Sequence, residues 1–114
     1  MYGKQTTVFD SDLYSSLFTQ DKMREIWSDD NLLRCWLRFE AAVARVQSEL
    51  GIIPEQAAVE IEQTCREIQI DWPALAQETQ TVGMAIKPLI DQISASGTPL
   101  VSQFLHWGCT TQDL

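Results

Sequence analysis

The spacing of apolar residues between Ser28 and Gly51 is the feature that most restricts the fold. These residues recur at intervals of four and three, at Leu32, Trp36, Phe39, Val43, Val46 and Leu50. Such spacing places them on one helix face for roughly five turns, close to a coiled-coil seam. A second apolar stripe lies beside it, at Leu33, Leu37, Ala41 and Ala44. We therefore predict a helix over 29–50 that is covered on two sides, with Ser28 as its N-cap and Gly51 just past its end.

Prolines and glycines mark the ends of the other predicted helices. Each of the four prolines sits at or near a helix start, whereas Gly51, Gly83 and Gly97 follow helix ends. Further helices are predicted over residues 19–27, 54–68, 71–82 and 88–96. No stretch alternates in the manner of a strand. Because the positions of the prolines and glycines agree with the helical spacing of the apolar residues, the sequence predicts an all-α chain. We expect residues 1–114 to form a single helical domain, with 1–18 as an N-terminal arm.

Composition excludes several classes of partner. A chain of 114 residues with 45% hydrophobic and 21% charged residues is typical of one globular domain. Its net charge of −8 argues against nonspecific binding to nucleic acid or to an anionic membrane, since both require basic surface. No apolar run reaches the length of a membrane span, and residues 1–5 lack the apolar core of a signal peptide.

The cysteines and the histidine bear on compartment and metal binding. Cys35, Cys65 and Cys109 are odd in number and widely spaced, which favours free thiols in a reducing, cytoplasmic setting. Cys35 and Cys65 fall on predicted apolar faces, so we expect both to be buried. With a single histidine and no Cys/His cluster, a zinc site is not expected.

The end of the chain combines several groups that carry chemistry. Residues 106–113 read His-Trp-Gly-Cys-Thr-Thr-Gln-Asp. Thr110 or Thr111 can cap a helix whose first turn would contain Gln112. Such a helix start would direct N–H groups and hydroxyls at one point, a ready site for a carboxylate or phosphate, and His106 could bind the same anion or move a proton. On spacing alone the plain interpretation is favoured, a capped helix start beside a surface histidine, because caps far outnumber anion sites.

Three stretches together resemble a known family. They are residues 17–54, residues 71–90 and the 106–113 segment, which is similar to a signature that reads His-Trp-Gly-Ala-Thr-Ser-Gln-Asp. On these residues the chain resembles the N-terminal part of the fumarase/aspartase superfamily. Within that superfamily, the likeness is greatest to the 3-carboxy-cis,cis-muconate cycloisomerase and adenylosuccinate lyase branches.

The resemblance implies a chemistry and a set of site residues. Such enzymes carry out β-elimination, or its reverse, on a carboxylated substrate and use no metal or organic cofactor. His106, Thr110, Thr111 and Gln112 would bind the substrate. Hydroxyls and backbone amides around Thr110 and Thr111 would hold its carboxylate, and His106 would help to shape or bind the same pocket. Donors there stabilise the negative charge that develops when a proton is removed beside a carboxylate.

The resemblance also implies a larger assembly. Family members are homotetramers whose central helix bundle, second histidine and catalytic-serine loop follow the region matched here. Because this chain stops at Leu114 without a closing helix, we expect it to be the front part of a longer enzyme and inactive alone.

Three positions depart from the family pattern. Thr111 stands where serine is usual and Cys109 where alanine is usual, whereas Met84 occupies a position near the site that is polar in related enzymes. Met84 neither titrates nor donates a strong hydrogen bond, so the substrate or activity is expected to differ. Lys87 could offer a compensating cation, but an exposed lysine at a helix start is the favoured interpretation.

Two alternatives to a cycloisomerase-like enzyme stay open. One is adenylosuccinate lyase. It is disfavoured because a histidine is missing near Met84 and because of the amino-acid sequence at residues 71–73. The other is a non-catalytic helical module that binds a partner through the seam of helix 29–50.

Overall fold

The computed structural model describes residues 4–114 as helices joined by short turns. The helices are α1 (Ser15–Phe18), α2 (Asp21–Ile26), α3 (Asp29–Glu49), α4 (Glu55–Glu67), α5 (Trp72–Val82), α6 (Ile86–Ser96) and α7 (Pro99–Phe104), followed by a 3-10 turn at Thr111–Asp113. No strand occurs among these described residues. The prediction of an all-α chain is confirmed. Within 4–114, no helix combines the length and apolarity that crossing a membrane requires.

The chain divides into two compact units, one ending at Arg34 and the other comprising Cys35–Leu114. The first unit contains α1, α2 and the start of α3, and many of its apolar side chains are exposed: Phe9, Leu13, Leu17, Phe18, Met23 and Trp27. Of the predicted arm over 1–18, residues 1–3 lie outside the described part. The remainder of the arm includes α1.

The core of the second unit lies where α4, α6 and α7 meet, with α5 packed against α6. Its most deeply buried apolar side chains are Ala57, Ile61, Leu89, Ile93 and Val101. The backbone at Gly97, between α6 and α7, lies very close to the Val101 side chain. A Cβ added at Gly97 would lie 2.6 Å from the Val101 Cβ. Only glycine fits this turn without displacing the neighbouring helix.

Two helices begin at the N-cap residues that the sequence predicted. The backbone N–H of Asn31 donates to Ser28 Oγ at 3.2 Å, which caps α3. Similarly, the N–H of Ala74 donates to Asp71 Oδ1 at 3.0 Å at the start of α5. Both predicted caps are confirmed because side-chain capping depends on residues only two or three positions apart.

One helix boundary and one whole helix differ from the prediction. Helix α6 begins at Ile86 rather than Pro88, since the first N–H groups of a helix have no intrahelical partner and a proline there loses nothing. The α7 helix was not predicted, because its 6 residues are too few to show a periodic face.

The exposure of α3 corrects the prediction about its faces. Leu32 and Val46, which belong to the longer predicted seam, are 44% and 49% exposed, whereas Leu33 and Ala44 of the second stripe are buried. The expectation that Cys35 is buried was wrong: its side chain is exposed, and only Cys65 of the pair is buried. Periodicity identifies residues that share a face but not which of two adjacent faces meets the core.

Candidate functional site

A buried carboxyl group contacts the chain's single histidine. Glu40 Oε1 lies 2.5 Å from His106 Nδ1, although the two residues are 66 positions apart. The Glu40 side chain has no exposed surface, and that of His106 is 16% exposed. The second carboxyl oxygen, Oε2, is buried without a hydrogen-bond partner among the described residues. The pair therefore joins the middle of α3 to the start of the 106–113 segment.

The backbone around His106 adopts a conformation that few side chains favour. Helix α7 ends at Phe104, its C-cap Leu105 is extended, and His106 then has a φ of 59°. A non-glycine residue in this left-handed region is strained. The carbonyl of His106 accepts a hydrogen bond from the Cys109 N–H at 3.1 Å, and Gly108 has a φ of 71°. The segment thus folds into a tight turn that carries the imidazole.

A second contact holds the next residue of this turn. Gln47 Nε2 donates to the Trp107 carbonyl at 2.7 Å. Gln47 follows Glu40 by about two helical turns, so both side chains leave the same face of α3. The Trp107 ring also packs against Phe104, with ring centroids 5.7 Å apart. Helix α3 therefore secures both His106 and Trp107.

Burial controls the ionisation of the groups around this contact. Removal from water raises the pKa of Glu40 above its ordinary value, and the hydrogen bond and charge of His106 partly oppose that rise. Burial, followed by the charges of Glu40 and Glu62, raises the pKa of the Cys65 thiol to about 12. Burial also raises the pKa of Cys109. Burial therefore makes each of these three acids harder to ionise than in water, and His106 is the group that favours the ionised form of Glu40.

The threonines and glutamine of the predicted site lie on the short turn that ends the chain. Thr110 Oγ1 accepts from the Gln112 N–H at 3.3 Å, so Thr110 is the cap. The Asp113 carboxylate accepts from the Thr110 N–H at 2.6 Å and from its hydroxyl at 3.3 Å. Thr110 and Gln112 are exposed, and Thr111 is half-buried.

This geometry changes what the turn offers to an anion. The sequence predicted a helix start with free donors, and the described residues form a 3-10 turn over Thr111–Asp113. The carboxylate of Asp113 occupies two donors of Thr110. An anion that bound at Thr110 would therefore have to displace the Asp113 carboxylate.

The two accessory positions are both at the surface. Met84 is 43% exposed and precedes α6. Lys87 Nζ lies 2.7 Å from Asp91 Oδ2, one turn further along α6, and both side chains are well exposed. The interpretation of Lys87 as a solvated lysine near a helix start matches this placement.

Glu40 and Gln47 are the residues that sequence reasoning missed. Glu40 lies beside Ala41 on the second apolar stripe of α3, three residues after Leu37 and four before Ala44. An acid within an apolar stripe signals a buried, partnered carboxyl group. That signal was present, but the partner, 66 residues away, was not visible in the local pattern.

Comparison with known proteins places the chain in a family. No protein-family model matches the chain. Trans-aconitate decarboxylase 1 from Mycosarcoma maydis is 44% identical over 100 residues, which cover 88% of this chain and 20% of that protein. The 3-carboxy-cis,cis-muconate cycloisomerase of Pseudomonas putida is 38% identical, over 89% of this chain and 25% of that protein.

A solved structure agrees with the sequence comparison. The crystal structure of a fumarate lyase from Mesorhizobium sp. BNC1 superposes with a TM-score of 0.80 and 42% identity, over 84% of this chain and 22% of that one. The chain belongs to the fumarate lyase superfamily, also called the fumarase/aspartase superfamily. It matches the N-terminal portion of the family structures, and it spans about a fifth to a quarter of the length of these relatives.

Proposed function

We propose that this chain is the N-terminal domain of a 3-carboxy-cis,cis-muconate cycloisomerase-like enzyme that acts on a carboxylated substrate. The observation that carries the proposal is the 38% identity with the Pseudomonas putida cycloisomerase over 89% of the chain. The proposal includes a homotetrameric, cytoplasmic parent enzyme that needs no metal or organic cofactor. The chain alone is inactive, since further chain segments complete the active site.

The names of two relatives narrow the substrate class. Trans-aconitate and 3-carboxy-cis,cis-muconate are both unsaturated carbon chains that carry three carboxylates. A site for such a molecule needs several hydrogen-bond donors and must stabilise charge when a bond to the carbon beside a carboxylate is made or broken. An unsaturated tricarboxylate is therefore the substrate class we propose.

Four residues of this chain contribute to substrate binding in this proposal. Thr110 and Thr111 supply hydroxyl and backbone donors to a substrate carboxylate, Gln112 supplies an amide, and the His106 ring lines the same pocket. Support comes from their position on one short segment, 106–112, whose first residue is anchored by Glu40. Preorganised donors of this kind stabilise a developing oxyanion without having to reorient.

A hybrid enzyme tests the proposal. Residues 1–114 would replace the matching N-terminal quarter of the Pseudomonas putida cycloisomerase, and turnover of 3-carboxymuconate and trans-aconitate would be measured, with adenylosuccinate in parallel. We expect turnover of a tricarboxylate by the hybrid and none by the 114-residue chain. His106→Ala and Thr110→Ala should each reduce turnover about a hundredfold or more.

Controls separate a failed hypothesis from a failed hybrid. Thr81→Ala changes an exposed threonine of α5 and should leave turnover unchanged. Light scattering establishes whether each hybrid assembles as the cycloisomerase does. An assembled hybrid that is inactive on all three substrates would refute the proposal. Turnover by the 114-residue chain alone would refute the statement that this chain is inactive by itself. Turnover of adenylosuccinate only would move the assignment to that branch.

A further inference from the structure

The carboxyl group of Glu40 is buried without a full set of hydrogen-bond partners among the described residues. Its side chain has no exposed surface, and burying a carboxyl group costs several kcal/mol unless hydrogen bonds compensate. Yet Oε2 has no hydrogen-bond partner among the described residues, and Oε1 is hydrogen-bonded to the His106 ring. An apolar side chain of similar volume would fill this space at less cost. The contact with His106 is therefore where a role for Glu40 has to be sought.

The contact distinguishes the two nitrogens of the imidazole. Nδ1 lies 2.5 Å from Glu40 Oε1. The Glu40 side chain has no exposed surface, whereas that of His106 is 16% exposed. A carboxylate accepts a hydrogen bond from Nδ1–H, and in a neutral ring the other nitrogen then carries a free lone pair.

We propose that Glu40 is a positioning residue that keeps the His106 proton on Nδ1 and so presents an unprotonated Nε2 to the substrate. Nε2 then accepts a hydrogen bond or a proton, whereas without Glu40 it would carry the proton itself. This assignment rests on the proposed function only for the statement that Nε2 meets the substrate. The tautomer itself is a property of the chain.

The turn that carries the ring supports a positioning role. His106 has a φ of 59°, a conformation that persists only when its surroundings enforce it. Glu40 holds the ring, and Gln47, further along the same helix, holds the carbonyl of Trp107. The orientation of the imidazole is thus set from both ends of a two-residue segment.

Nitrogen NMR tests the tautomer directly. The chain contains one histidine, so uniformly ¹⁵N-labelled protein gives one pair of ring nitrogen signals. At pH 8 we expect a protonated Nδ1 and an unprotonated Nε2 in the 114-residue chain. A ring protonated on Nε2, or on both nitrogens at that pH, would overturn the proposal without reference to any variant.

Substitution of Glu40 supplies the second measurement. Glu40→Leu removes the acceptor while keeping the volume, and we expect the ratio of Nδ1–H to Nε2–H tautomer to fall about tenfold or more. The matched control is Glu49→Leu, the same change at an exposed position of α3, which should leave the ratio unchanged. An unaltered ratio in folded Glu40→Leu refutes the role. If that variant does not fold, the wild-type spectrum still tests which ring nitrogen of His106 carries the proton.

The tautomer and the proposed function fail separately. If His106 is protonated on Nδ1 but the assembled hybrid is inactive, the role of Glu40 stands and the cycloisomerase-like activity is rejected. If the hybrid is active but His106 is protonated on Nε2, the activity stands and the role of Glu40 is rejected.

Discussion

Glu40 and Gln47 lie about two turns apart on one face of α3 and contact consecutive residues of the turn that follows α7. Each contact joins residues 60 or more positions apart. The helix therefore acts as the fixed support of the 106–113 segment. Both contacts can be removed individually, which allows their effects on stability and on the turn to be separated.

Loss of the Gln47 contact should loosen the turn without unfolding the domain. Gln47→Met keeps the side-chain length but removes the donor to the Trp107 carbonyl. We expect the free energy of unfolding to fall by about 0.5–1.5 kcal/mol and hydrogen exchange of the Cys109 amide to accelerate. Gln80→Met, at an exposed position of α5, is the control. Unchanged exchange at Cys109 would show that Gln47 does not secure the turn.

Stability should depend on the protonation of Glu40. Burial raises its pKa in the folded state above the ordinary value of 4.5, so the folded chain holds this proton more tightly than the unfolded chain. The resulting stabilisation is fully present below pH 4.5 and is lost as the pH rises through the folded-state pKa.

The comparison of wild type with Glu40→Gln isolates this effect, because the amide does not titrate. We expect the free energy of unfolding of the wild type, relative to that of Glu40→Gln, to decrease as the pH is raised from 4 to 8. Chemical denaturation at intervals across that range measures it. A difference that is constant, or that grows with pH, would contradict the pKa direction.

The thiols should react in the order of their exposure. Cys35 is exposed and Cys109 half-buried, whereas burial holds the pKa of Cys65 at about 12. Because the thiolate is the reactive form, a disulfide reagent at pH 8 should modify Cys35 first, Cys109 more slowly, and Cys65 only after unfolding in guanidinium. Cys35→Ser should remove the fastest phase. Rapid modification of three thiols in the folded chain would show that Cys65 is accessible.

A methyl group at position 97 should disrupt the contact between α6 and α7. The added Cβ of Gly97→Ala would lie 2.6 Å from the Val101 Cβ, so the helices must shift. We expect a loss of about 1–3 kcal/mol in the free energy of unfolding. Ser96→Ala, at the neighbouring exposed position, should be close to neutral. Equal stability of the Gly97→Ala chain would mean that the turn adjusts freely.

Much of the secondary structure was predictable because its determinants are local. Ser28 and Asp71 cap helices through hydrogen bonds to residues three positions away, and Gly83 ends α5 in a left-handed conformation. Likewise, Thr110 caps the last turn. The candidate segment 106–113 was also identifiable, since its residues are contiguous. The Thr-x-x-Asp spacing of Thr110 and Asp113 is that of a capping box, so the contact between the Asp113 carboxylate and Thr110 was also encoded locally.

The sequence by itself determined the longer helical stretches, though not α7, and which residues share a helix face. The tertiary structure decided which face of α3 is buried, and this exposed Cys35 while it enclosed Glu40. The tertiary structure also determined which residue contacts Glu40. His106 is 66 residues away in the sequence, so this contact depends on how α3 and the end of α7 pack. Periodicity places side chains around one helix axis, whereas burial and long-range pairing arise only when separate helices meet.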